Sequence, residues 1–227
     1  MGSIRGAGSR CARALAALAV LACVAAPAAG AADHEQIRLT ASGQAAARVP
    51  MLKKADLPKE PDWIGGPTKP DLASTVSCGS FSPKQSDLVL NGASKVVYKH
   101  SGLQIESQVD VLATPRMVQL DWQRTVTSPR MLACLRTTFA KSGSATTKFV
   151  SYKPMAVPRL AVFSSAWRIL WDVKAPSGVV RVMTDIVLVG RGRTEVTLST
   201  TARLADASVV APLELRLAAT LAARIRA

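Results

Sequence analysis

Polar and apolar residues alternate most strictly along Leu103–Ala113. Leu103, Ile105, Ser107, Val109, Val111 and Ala113 share one parity, and Gln104, Glu106, Gln108 and Asp110 share the other. A period of two predicts a strand with one face in the core and one in water. Ser94–His100 reads as a partner strand, and Ser101-Gly102 supplies the hairpin turn between them. The period then changes. Thr114 before Pro115 is an N-cap followed by a first-turn proline, and Met117, Leu120, Trp122 and Val126 form an apolar stripe. Ser128-Pro129 repeats the start signal. Met131, Leu132, Cys134, Leu135 and Phe139 then recur at helical spacing until Gly143, which predicts a second helix or a kinked continuation.

Four more strands are predicted, near Thr146–Lys153, Phe163–Lys174, Val179–Val189 and Thr194–Thr201. In the second of them Trp167, Ile169, Trp171 and Val173 oppose Arg168 and Asp172 in parity. Gly190-Arg191-Gly192-Arg193 reads as a tight reversal between the last two. From about Pro212 to Arg226, Leu213, Leu217, Leu221 and Ile225 stand at four-residue steps. Glu214 near the start and Arg224 and Arg226 near the end suit the dipole of a closing helix. The order is β-β-α-β-β-β-β-α, and short turns make neighbouring strands antiparallel. Residues 76–227 are therefore expected to form an α+β domain, a single antiparallel sheet of about six strands with helices packed on it.

The residues ahead of that domain carry different signals. Residues 1–31 hold Arg5, Arg10 and Arg13, a short apolar run of Ala, Leu and Val broken by Pro27, and a small-residue exit at Ala29-Gly30-Ala31. That is the pattern of a secretory signal peptide, with cleavage after Ala31 or Ala29. The apolar run is well short of the roughly 20 residues a membrane span needs. Val20-Leu21-Ala22-Cys23 partly matches a bacterial lipobox, so a form lipid-anchored through Cys23 is the minor alternative. Residues 32–75 contain Pro50, Pro58, Pro61, Pro67, Pro70 and Gly65-Gly66, and read as a poorly ordered, extended lead-in. Trp63 is its exception and is expected to dock onto the domain.

Composition narrows the classes. The chain of 227 residues is 48% hydrophobic and 19% charged, which excludes a disordered polyelectrolyte. With 29 basic and 15 acidic side chains it carries a net charge of +14. A chain cleaved after Ala31 keeps 26 basic groups and all 15 acids. Two cysteines then remain, Cys78 and Cys134, in an oxidising space, and an even pair there most simply forms one disulfide. A reactive thiol pair or half a metal site lacks support: the histidines are His34 and His100, and no Cys-x-x-Cys occurs.

The run from Arg181 to Leu198 followed by a carboxy-terminal helix, with Ala133-Cys134-Leu135-Arg136 ending an earlier helix and Cys78 before it, resembles secreted actinobacterial proteins of unassigned function. These are similar to PsbP-like domains, among them mycobacterial envelope lipoproteins and the extracellular sensor domain of a mycobacterial receptor kinase. The resemblance covers roughly residues 77–226. It implies a PsbP-like fold in a cell-envelope or extracellular setting and assigns no functional residue. The kinase sensor has two disulfides, whereas this chain, once cleaved, can form one.

The chemistry is sparse. Arg191 and Arg193 could meet an anion through the Gly-rich turn, but a phosphate loop belongs between strand and helix and this one joins two strands. A hydrolytic triad has no histidine with a motif around it. Asp110, Asp121, Asp172, Asp185 and Glu195 follow no pairing rule, so no catalytic, cofactor or metal residue is assigned. The positive charge would attract anionic lipids or cell-wall polymers, although a composition bias that favours Arg and Ala alike explains it without any partner. Nucleic acid is disfavoured because no aromatics accompany the basic residues. The expectation is an exported, non-enzymatic, monomeric envelope protein. It binds an apolar or anionic ligand between sheet and helices, with peripheral contact to the membrane as one form. The alternative is a basic interaction domain held on anionic wall or lipid surfaces.

Overall fold

A computed structural model describes residues 33–59, 62–72 and 81–225. Its centre is an eight-stranded sheet. The strands are β1 (Gln36–Ile37), β2 (Ile64–Thr68), β3 (Val89–His100), β4 (Leu103–Leu112), β5 (Thr147–Pro154), β6 (Phe163–Ala175), β7 (Gly178–Arg191) and β8 (Thr194–Arg203). In space β3, β4, β8, β7, β6 and β5 lie side by side, each antiparallel to the next. β1 and β2 both pair with β3, β1 parallel and β2 antiparallel. The expected antiparallel sheet of about six strands is thus present as β3–β8, but the whole sheet is larger and mixed.

The two extra strands come from the Pro-rich lead-in, which reads from its sequence as poorly ordered and extended. Between them lie α1 (Ala41–Arg48) and a short 3₁₀ turn (Lys54–Asp56). Thr40 caps α1 by accepting from the Gly43 N–H, as a threonine N-cap should. Ala47, Leu52, Leu57 and Trp63 are all buried in the main core. The segment shows no periodicity because each element is too short to display one. It is fixed by individual contacts: Asp56 with Arg224, the Asp33 carboxylate accepting from the Ser86 N–H, and the Ser94 hydroxyl donating to the Ala47 carbonyl.

The hairpins form where the sequence places them. Ser101 and Gly102 both have positive φ between β3 and β4, and Gly192 (φ 58°) opens the two-residue loop between β7 and β8. That loop needs glycine at its first position. The predicted helices are α2 (Pro115–Asp121), which runs on as a π turn over Trp122–Val126, then α3 (Pro129–Lys141) and α4 (Ala207–Arg224). α4 starts five residues earlier than expected and contains Pro212. Leu217 and Leu221 are buried against the sheet, and that packing holds the first turns despite the missing N–H.

Because side chains alternate, the sheet has two faces. One holds Val96, Ile105, Val109, Val111, Val187, Val196 and Leu198 beneath α1 and α4. On the other, α2 packs Val118 and Trp122 onto Leu90, Ala93 and Leu112, while α3 lays Leu132, Leu135 and Phe139 over Tyr152, Trp167, Ile169 and Trp171. The polar parity of β4 lies on this second face and is half-buried, so it is not the wet face its sequence suggests. The signal peptide, its cleavage site and Cys23 lie outside the described residues, as does Cys78. Cys134 is buried on the inner side of α3.

Candidate functional site

The β7–β8 hairpin turn, the chain leading into β6 and the exposed side of α2 meet at one end of the sheet. Two adjoining grooves open there. The larger, about 650 Å³, is lined by Pro115, Arg116, Gln119, Leu120, Gln123, Val162, Phe163 and Gly192. The smaller, about 260 Å³, is lined by Arg159, Leu160, Ala161, Val162, Arg191 and Ala222. Val162 forms a wall of both and is 55% exposed, although it is a branched apolar residue. Arg116, Arg159 and Arg191 are exposed, and neither lining contains a carboxylate among the described residues. A third hollow, lined by Lys148, Phe149, Asp172 and Lys174, lies at the opposite end of the sheet.

The walls are built by local hydrogen bonding. The Ser164 hydroxyl accepts from the N–H groups of Leu160 (3.1 Å) and Ala161 (3.0 Å), which pins the loop that carries Arg159 and Val162. Phe163 stacks on Trp122, with ring centroids 5.2 Å apart. Trp122 in turn sits over Gly190, where any Cβ would press on its indole nitrogen. The π turn begins at Trp122, and the Thr127 N–H reaches back to the Trp122 carbonyl (2.9 Å). Arg124 on the same turn grips Asp87 through two bonds of 2.6 and 3.0 Å. These contacts preset the groove.

Of the predicted anion contacts, the structure brings Arg191 to a groove. Arg193 is exposed and lines neither groove, and its carbonyl accepts from the Leu112 N–H. Arg116 and Arg159 were not singled out in the sequence, since nothing local distinguishes an arginine at a helix start or in a loop from any surface cation.

Behind Trp122 lies a second feature that the sequence gave no means to assemble. Asp110 on β4 and Glu195 on β8 stand directly opposite each other. Asp121 at the end of α2 and Glu35 just before β1 join them from two more elements. Like charges directly across a strand pair repel. Burial is the largest influence on all four carboxyls. It raises Glu35 to about 7, with Asp110 and Asp121 adding to the effect. It raises Asp110 to about 6, against a bond from Gln108 and with help from Asp121 and Asp71. Glu195 is pushed well up by burial and by the neighbouring Asp121, Asp110 and Glu35. Asp121 is also raised by burial, opposed by bonds from Thr125 and Glu195 and by the charge of Arg124. Glu195 Oε1 is shielded from solvent and meets no hydrogen-bond partner. Two carboxyls as close as Asp121 and Glu195 can coexist only by sharing a proton. Among the described residues no three His, Cys, Asp or Glu side chains are arranged as metal ligands.

A third polar group lies on the opposite sheet face, under α4. Arg168 holds the buried Asp185 through two 2.6 Å bonds. Glu214, raised to about 7 by burial first and the Asp185 charge second, lies above them. His100 is occupied elsewhere: its Nδ1 lies 3.2 Å from the Asp62 carbonyl and its ring leans on Trp63. Among the described residues no helix is long and apolar enough to cross a membrane.

No protein-family model matches the chain, and no curated protein matches it. Among solved structures, LpqN, involved in cell envelope biogenesis of Mycobacterium tuberculosis, is similar at 12% identity with a TM-score of 0.29. The match covers 72% of this chain and 92% of that one. Likeness at that level assigns no role, so the function is read from the chemistry of the grooves.

Proposed function

We propose that this chain is an exported, non-enzymatic envelope protein that binds anionic amphiphiles at the β7–β8 end of its sheet. Arg116, Arg159 and Arg191 meet the charged head group, while Leu160, Val162 and Phe163 receive the apolar part. The observation that carries this reading is the shared Val162 wall, an exposed apolar ridge between two grooves with three arginines and no acid in their linings. An anion held by several preset guanidinium groups forms charge-assisted bonds at little ordering cost. The leader-like residues 1–31 and the resemblance to PsbP-like envelope domains support an extracytoplasmic setting.

The test is flotation of the exported protein with lipid vesicles. Phosphatidylglycerol vesicles should carry it and phosphatidylcholine vesicles should not, at about 0.1 M salt. The double variant R159Q/R191Q should bind about tenfold more weakly, the loss of roughly one charge-assisted bond. Equal binding to neutral vesicles, or an unaffected double variant, would reject the site.

A second reading is favoured by how charge is distributed. The carboxylates of Asp56, Asp87, Glu106, Asp172, Asp185 and Asp206 are each tied to a Lys or Arg, and four more converge behind Trp122. Most remaining cations face solvent, as a basic module held on anionic wall polymer would need. In that case no pair of arginines would dominate, and binding would fall steeply with salt for every variant alike.

A further inference from the structure

α2 carries both features described above, and this links them. Its outer side gives Pro115, Arg116, Gln119 and Leu120 to the larger groove. Its inner side packs Val118 on the sheet, and Trp122 follows it against Phe163. Its last residue, Asp121, enters the carboxyl cluster. A negative charge there faces Asp110, Glu195 and Glu35 on three other elements. One cation, Arg124, faces the cluster from the π turn, but its bonds go to the Asp87 carboxylate and the Lys84 carbonyl. Asp71 from the lead-in and Asp33 beside Ser86 add further negative charge nearby.

Resting on the amphiphile-binding reading above, we infer that protons on the Glu35–Asp110–Asp121–Glu195 cluster control the groove through α2, so that anionic amphiphiles bind in mildly acidic surroundings and are released as the pH rises. With protons shared among the four carboxyls, α2 and the β1 segment seat against β4 and β8. Removing those protons places several like charges between α2 and the sheet. α2 then loosens, the groove wall of Arg116 and Leu120 moves with it, and the added negative charge opposes an anionic head group. The coupling is reciprocal: a bound anion on the arginines must raise the cluster's affinity for protons.

Two measurements test this. Flotation with phosphatidylglycerol vesicles, whose phosphodiester charge is constant over the range, should be about fivefold stronger near pH 5.5 than near pH 8. The variant D110N/E195Q removes two charges without touching the groove, and should bind at about the acid level at both pH values. The variant H34Q/H100Q should keep the wild-type dependence. Independently of any ligand, hydrogen exchange of α2 amides, corrected for intrinsic rate, should quicken from acid to alkaline pH in the wild type and not in D110N/E195Q. Vesicle binding that is flat with pH would overturn the gating and leave the binding site standing. A pH dependence that persists in D110N/E195Q would overturn the cluster's role. Failure to bind vesicles at either pH would reject the amphiphile site, while the exchange measurement would still decide whether the cluster governs α2.

Discussion

Gly43 of α1 and Gly92 of β3 touch backbone to backbone where the lead-in helix crosses the sheet. A Cβ on Gly92 would run into the Gly43 carbonyl, and one on Gly43 would run into the Asn91 carbonyl. The contact lets the Gln44 side chain accept from the Ala93 N–H and lets Ser94 reach Ala47. Replacing either glycine by alanine should cost about 1–3 kcal/mol, because backbone cannot yield as a flexible side chain does. Gly66→Ala serves as the control, since nothing lies near its added methyl group. Urea denaturation of the three variants reads the difference, and a G92A protein as stable as G66A would contradict this packing.

The same crossing shows what sequence pattern can and cannot reveal. β4, β6 and α4 were legible because each buries one stripe over ten or more residues, and periodicity reports that directly. The turns at Ser101-Gly102 and Gly192-Arg193 were legible because only certain residues accept positive φ. The lead-in was not, since its anchors are single contacts between residues some 50 positions apart, such as Asp33 with Ser86. The carboxyl cluster was hidden for a related reason. Asp110 and Glu195 are neighbours only because β8 inserts between β4 and β7, a pairing no local pattern encodes. Arg191 was readable from its turn, whereas Arg159 became a groove residue only through the Ser164-pinned loop.

Arg168 and Asp185 should behave as a buried pair. Asp185 has no solvent exposure and Arg168 is its counter-ion, bonded through both Nε and Nη2. R168M leaves the carboxylate uncompensated and should cost about 3 kcal/mol. The double variant R168M/D185L removes both charges and should regain most of that loss. Thermal denaturation at neutral pH checks the pair, and a double variant no more stable than R168M would show that the pair contributes more than mutual neutralisation.

We predict that Cys134, buried on α3, pairs with Cys78 in the exported protein. A bridge closing a loop of 56 residues would stabilise the fold by about 4 kcal/mol if chain entropy dominates. Intact mass under non-reducing conditions should be lighter by two hydrogens, and a peptide map should join the segments holding Cys78 and Cys134. Reduction should lower the melting temperature. Alkylation of both thiols in unreduced native protein would exclude the bridge.

Stability should peak in mildly acidic solution, because two sets of carboxyls pull in opposite directions. Asp87 and Asp172 are held low chiefly by bonds from Arg124 and Arg181. Burial opposes the same effect at Asp56, but the Arg224 bonds prevail. Groups lowered in the folded state give stability that is lost as pH falls through their folded values. Glu35, Asp110 and Glu214 are raised, so their contribution is intact in acid and is lost as pH climbs through about 6 to 7, and Glu195, raised chiefly by burial, acts in the same direction. Glu214 isolates the alkaline limb, since it stands on the buried side of α4, away from the groove and the cluster. Its charge forms unfavourably next to Asp185, and its Oε2 has no partner. E214Q should therefore stabilise the protein at about pH 8 by on the order of 2 kcal/mol and make little difference near pH 5. Melting curves across that range should show the wild type falling on the alkaline side and E214Q falling less. Parallel curves at every pH would mean that Glu214 is ionised without penalty, and that α4 leaves water beside it.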